Sequence, residues 1–334
     1  MRLHGPSPPQ GKDSGRSLLF SQLPPHIQYS PPQAVGEAAA LLLDLFPGAA
    51  AAYSLRQLNS KYFGPAIRVQ RLADSAVQDI GFLNKGLDIP ALELFIGNDD
   101  GLVTIIYDQS GNGIDLDAQT VESRFPKIIV SGVLQESNNL PAVLFDGSND
   151  VLFSTNLLTS PVDDIFIFGL WEKTVIGDNP TNFNLDFPNF TSTRRVSTSA
   201  PRGVGDILWD AGGIGNDRVQ TVTGFNDLIS HEYTFIKQNI TNGLKLRRDG
   251  ILLKEQTAAT PDSDVNQVGL ASQSDPGGSS NMLWQELIFY AIDQTSSVSA
   301  IEGNIANFYQ QQFLWVTGLG EQMVTGLGEE LVFR

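Results

Sequence analysis

Leu102-Val-Thr-Ile-Ile-Tyr-Asp-Gln-Ser-Gly-Asn-Gly113 is the stretch on which the reading of this chain turns. Its first half is apolar and β-branched, the composition of a strand that crosses an interior, and its second half is dense in Asx residues and glycine. Asp108 and Asn112 are suited to hydrogen-bond the local backbone in Asx turns while the glycines take positive φ. The same side chains, with Gln109 and Ser110, also carry the oxygens that bind sugar hydroxyls or a calcium ion. Ala142-Val-Leu-Phe-Asp-Gly-Ser-Asn-Asp-Val151 repeats the construction, with Asp146, Asn149 and Asp150 as its turn residues. Further out the same texture recurs in short runs: AIRVQRL from Ala66, KIIVSGV, DIFIFGLW, YTFIKQNI and MLWQELIFYAI. Leu244 to Glu255 reads as a hairpin with Asp249-Gly250 as a type I′ turn. This spacing predicts a mainly β protein, an antiparallel sandwich of jelly-roll type.

Composition narrows the function. The 334 residues contain 37 Asp plus Glu against 21 Lys plus Arg, a formal charge of -16, which speaks against nucleic acid or an anionic membrane surface as partner. There is no cysteine, so disulfides, thiol catalysis and thiolate metal sites are excluded. Of three histidines only His231 lies outside the N-terminal stretch, which leaves little for His-based triads. No apolar run reaches the length of a membrane span, and the first 30 residues lack the apolar core of a signal peptide, so classical secretion is not expected.

Three regions are expected. Residues 1–49 form a proline-rich arm followed by a helix over Gln33 to Phe46, suited to attachment or assembly. Residues 50–314 form the sandwich, entered by a second Ala-rich helix through Tyr53 to Leu58, with a short helix at Ile89 to Ile96 and a closing helix at Val298 to Phe313. Residues 315–334 form a tail carrying VTGLGE twice. Among the tryptophans, Trp209 lies between Asp206, Asp210 and glycines and is the one placed to serve as a stacking platform for a sugar ring. Asp99, Asp100 and Asp108, with Asp115 and Asp117, offer hard oxygen ligands for calcium, without EF-hand spacing; no other cofactor is implied.

Tyr53 to Arg71, Gln78 to Phe82, Leu102 to Gly113, Pro141 to Asp150 and Trp284 to Tyr309 resemble a set of bacteriophage virion proteins and, more distantly, the catalytic domain of fungal family-54 α-L-arabinofuranosidases. Both families imply a concanavalin-like sandwich. The enzymes imply a retaining pair, a glutamate nucleophile and an aspartate acid about 5 Å apart. The nucleophile's strand falls near Ile207 to Gly213, where this chain has Asp210, and the acid's loop falls at Ala271 to Gly278, where it has Asp275 followed by proline. The departures at both positions favour a particle component made in the host cytoplasm. Its arm and tail would bind other virion proteins, in a tail fibre or as a capsid decoration and as a homo-oligomer. A lectin-like head using Trp209, Asp210 and Asp275 would then meet host glycans. The alternatives are a retaining hydrolase of arabinofuranosidase type and a structural decoration without ligand.

Overall fold

The computed structural model describes residues 40–316 except 118, 155–161, 177–180, 186–195, 212–217, 239–242, 257–264, 266 and 272–278, with side chains described as far as residue 309. The arm, residues 33–39 of the expected helix and the VTGLGE repeat beyond Val316 lie outside the described residues, as does Asp275.

The strand Ile165–Lys173 (IFIFGLWEK) shows how the layers arise. It is buried at every position but Glu172, and a strand is apolar on both faces only when both are covered. Ile165, Ile167 and Trp171 enter one core, and Phe166, Phe168 and Leu170 enter another beneath the helix Val298–Val316. The layers are therefore a small sheet, a large sheet and a helix.

The large sheet is antiparallel, in the order Ile251–Gln256, Gly243–Arg248, Ser230–Gln238, Ile165–Lys173, Asn281–Tyr290, Val143–Asp146, Lys127–Val130, Gly101–Ile106, Ile67–Arg71 and Val77–Ile80. The small sheet is also antiparallel, in the order Leu152–Phe153, Gly269–Leu270, Phe183–Asn184, Val196–Ser199, Leu208–Ala211 and Arg218–Gln220. Aromatic rings join them. Trp171 stacks on Tyr233 at 4.7 Å and meets Phe183 edge-on at 6.4 Å, while Trp209 lies 5.7 Å from Phe235. Gly169 leaves room for this, because a Cβ there would fall 2.2 Å from the Trp171 ring.

The Asp249-Gly250 hairpin forms as its sequence requires, with φ of 52° and 75° at the two turn residues. Ile89–Ile96 is a helix capped by Asp88, whose carboxylate accepts from the Ala91 amide. The expected helix through Tyr53 is corrected. Ala51–Ser54 is a strand paired with Glu286 to Phe289 of the central strand, so pairing with a partner more than 230 residues away overrides the helix propensity of alanine. The helix expected over Gln33 to Phe46 is also corrected in its described part: Ala40 and Leu41 are not helical, Leu41 is an extended N-cap, and the helix is the single turn Leu42–Leu45. Among the described residues no helix is long and apolar enough to cross a membrane.

Candidate functional site on the small sheet

In the small sheet the strand period sorts the chemistry by face. One register row, Leu152, Leu270, Phe183, Thr198, Trp209 and Val219, turns toward the large sheet. The adjoining row, Asn184, Ser197, Asp210 and Arg218, lies on the opposite face, one residue per strand on four neighbouring strands. Asn184, Ser197 and Asp210 are nevertheless buried. A buried polar row is costly unless its groups are hydrogen-bonded, so its presence needs a reason.

Asp210 is clamped. Arg218 Nε donates to Oδ1 at 2.6 Å and Nη2 to Oδ2 at 2.9 Å, the two-pronged geometry that fixes both side chains. The carboxylate is fully buried, whereas the guanidinium is 27% exposed and forms the outward surface of the pair. Four residues earlier Asp206 repeats the arrangement, accepting from Arg202 Nε at 2.8 Å and also from the Gln220 amide. The Arg202 bond, ahead of the other contacts, holds the Asp206 carboxyl below the usual range. Arg202 in turn is held charged by its bond to Asp206 and, more weakly, by Asp210, which joins the two pairs electrostatically. Amide, hydroxyl, carboxylate and guanidinium thus follow one another at strand spacing along a buried polar row, and the partly exposed arginines Arg218 and Arg202 lie over two buried carboxylates.

The other residues singled out in the sequence divide as follows. Trp209 is wholly buried against Phe235, so its ring is part of the core and not a platform; alternation along Leu208–Ala211 turns Trp209 inward and Asp210 outward. Asp108 accepts from the Ala52, Ser110 and Ile114 amides and from the Ser110 hydroxyl. Gln109 accepts from the Leu58 amide and donates to the Ser54 and Arg56 carbonyls, and Asn112 donates to those of Ala49 and Ala50. The TIIYDQSGNG string is thus a clasp that holds the segment 49–58. Asp146 accepts from the Ser148 amide, Asp150 accepts from the Asp146 amide, and Asn149 sits half-buried in the turn between them. Of the calcium candidates, Asp99 is bonded to the Ala73 amide and Asp100 to Lys127 and the Ser131 amide, and among the described residues no three His, Asp or Glu side chains are grouped so as to hold a metal. Arg218 and Arg202 were not singled out in the sequence. The Arg202–Asp206 spacing was a usable signal, but the Arg218 pairing follows only from strand register.

Fold and site together define an antiparallel two-sheet protein with a buried, arginine-clamped carboxylate on the outer face of its smaller sheet. Comparison with known proteins gives that class a direction. The family described as "Alpha-L-arabinofuranosidase B, catalytic" matches residues 45–141. An α-L-arabinofuranosidase B of Emericella nidulans is 46% identical over 72 residues, which is 21% of this chain and 14% of the relative. Among solved structures, an arabinofuranosidase complexed with arabinofuranosyl-α-1,2-xylobiose superposes with a TM-score of 0.61 at 16% identity, over 77% of this chain and 62% of that one. A GH54 α-L-arabinofuranosidase soaked with a cyclic sulfate inhibitor gives 0.59 at 15% identity with the same coverage. The chain thus spans less than two thirds of each of these proteins.

These matches overturn the expectation of a phage particle component with a lectin-like head, and with it a location on the virion surface. The sequence similarity falls on a fungal arabinofuranosidase and its catalytic family, and nothing in it points to a virion. The distant likeness to the family-54 catalytic domain stands.

Proposed function

We propose that the chain is a glycoside hydrolase of the α-L-arabinofuranosidase type, built on a concanavalin-like sandwich and working at the polar face of the small sheet. The observation that supports this most is the placement of Asp210 at the middle of that face. Its orientation is fixed and its charge compensated by an arginine that reaches the surface. In the retaining reading Asp210 attacks the anomeric carbon and forms a glycosyl ester. A second carboxyl protonates the leaving oxygen, then activates the water that releases the sugar. Asp275 is the proposed acid, carried by the segment that follows Gly269–Leu270 of the same sheet. Because Asp210 is buried beneath Arg218, this reading requires Arg218 to swing outward when substrate enters.

The test is release of 4-nitrophenol from 4-nitrophenyl α-L-arabinofuranoside by the full chain. Asp210→Asn is expected to lower kcat on the order of 10⁴-fold with the circular dichroism unchanged. Azide added to Asp210→Gly should restore turnover and yield an arabinosyl azide, which a merely structural Asp210 would not allow. Absence of turnover by the wild-type chain on aryl arabinofuranosides and arabinoxylan would overturn the reading.

A further inference from the structure

The large sheet carries a cavity on the face turned away from the small sheet. It has a volume of about 340 Å³ and lies between the strand Ser230–Gln238, the Asp249-Gly250 hairpin and the helix Val298–Val316. Leu170, Ile305 and Ala306 form an apolar wall, and the exposed Asn138, Gly250 and Ser299 mark its mouth. Strand alternation sends Tyr233 and Phe235 into the core between the sheets and Ser230 and Glu232 to this side.

Charge is unbalanced here. Arg247 is the cation lining the cavity, and both its Nε and its Nη2 are committed to the Glu302 carboxylate, at 2.7 and 2.9 Å. Asp249 is engaged by His231 and by the Glu232 amide. Glu232 is 95% buried, with 5% of its surface exposed, and its Oε1 has no hydrogen-bond partner; the buried Ser230 Oγ, two residues away on the same face, has none either. Burial first, then the carboxylates of Glu302, Glu286 and Asp249, push the Glu232 carboxyl well above its ordinary range, and Arg247 opposes them only in part. Two polar oxygens without protein partners, on residues two apart on one face of a strand, in a carboxylate-rich cavity with an apolar wall, call for a hydrogen-bond donor.

We infer that this cavity binds a small organic cation, a primary ammonium on a short aliphatic stem, with the ammonium donating to Glu232 Oε1 and Ser230 Oγ and the stem lying on Leu170, Ile305 and Ala306. The volume exceeds what a single bare ion requires and is in the range of small-ligand pockets. The ammonium supplies the positive charge that this carboxylate-rich cavity lacks, so its binding favours the ionised form of Glu232, and any proton given up goes to solvent. The site lies on the opposite face of the large sheet from Asp210 and does not depend on the hydrolase reading.

The probe is n-butylammonium, titrated into the full chain by calorimetry near pH 6 in buffers of different ionisation enthalpy, with n-butanol and butyrate as controls. Saturable binding is expected with Kd on the order of 1 mM, at least about tenfold tighter than n-butanol and with none for butyrate. Because the ammonium favours the ionised form of Glu232, binding should be accompanied by proton release, seen as a dependence of the heat on buffer ionisation enthalpy. Glu232→Gln should weaken n-butylammonium about tenfold or more and abolish the proton release. Equal binding of n-butanol, tighter binding of butyrate, or no saturable binding by the wild-type chain would overturn the inference. The wild-type preference for n-butylammonium over n-butanol and butyrate decides the matter even if the variant does not fold.

Discussion

Asp108 and Asp210 are both buried carboxylates beside strands, and they are satisfied in opposite ways. Asp108 takes three backbone amides and one hydroxyl, all from the chain segments it pins together. Asp210 takes the guanidinium of Arg218, a side chain that can move without opening the backbone. A carboxylate held by amides cannot exchange a partner without unfolding its loop, whereas one held by a flexible side chain can exchange it for a substrate. Burial and residue type are shared; the guanidinium clamp distinguishes Asp210 and is the reason it is the proposed nucleophile. The residues matched to the arabinofuranosidase family, 45–141, contain the clasp and not Asp210. The part matched by the family model is therefore the part that holds the clasp, while the likeness that extends over 77% of the chain is one of fold.

Substitutions can break this contrast. The largest effect expected is the loss of turnover in Asp210→Asn described above, on the order of 10⁴-fold, with stability changed by only about 1 kcal/mol. Asp108→Ala should do the reverse, costing about 3–5 kcal/mol because it strands the Ala52, Ser110 and Ile114 amides. Urea unfolding measures that cost, and a value below about 1 kcal/mol would show that the clasp is not what its hydrogen bonds imply. Arg218→Met should fall between, about 2 kcal/mol in stability, since it removes a charged partner from a buried carboxylate. If Arg218→Met left unfolding and turnover both unchanged, the clamp on Asp210 would have no role.

Legibility in the sequence followed the range of the interactions. The Asp249-Gly250 hairpin and the Ile89–Ile96 helix were readable because their determinants, turn glycine and capping Asp88, sit within a few residues. Ala51–Ser54 was not, because its conformation is set by pairing with residues 286 to 289. On Leu208–Ala211 all four residues are buried, so no contrast of exposed and buried positions marked which way Trp209 turned. The aspartate turn chemistry at Asp108 was legible as a local pattern, yet its long-range bonds to Ala52 were not. Glu232 gave no signal at all, since its carboxylate neighbours come from the helix, the hairpin and the central strand.

Asp150 sharpens the comparison, because it has neither kind of partner in strength. It is buried, accepts from the Asp146 amide at 2.8 Å and faces the Asp146 carboxylate, with Lys127 a weaker influence. Burial, first among these causes, raises its carboxyl to about 7. A carboxyl raised in the folded state binds its proton more tightly there than in the unfolded chain. Its contribution is therefore complete below about pH 4 and is lost as the pH rises toward 7, opposite in sign to that of the arginine-bound Asp206. Asp150→Asn keeps the amide acceptor and removes the titration. Between pH 4 and 7 the stability of wild type relative to this variant should fall by about 2–4 kcal/mol, read from urea midpoints at each pH. Parallel curves for the two proteins would mean that Asp150 is already a carboxylate throughout, and that a lone backbone amide suffices where Asp108 recruits three.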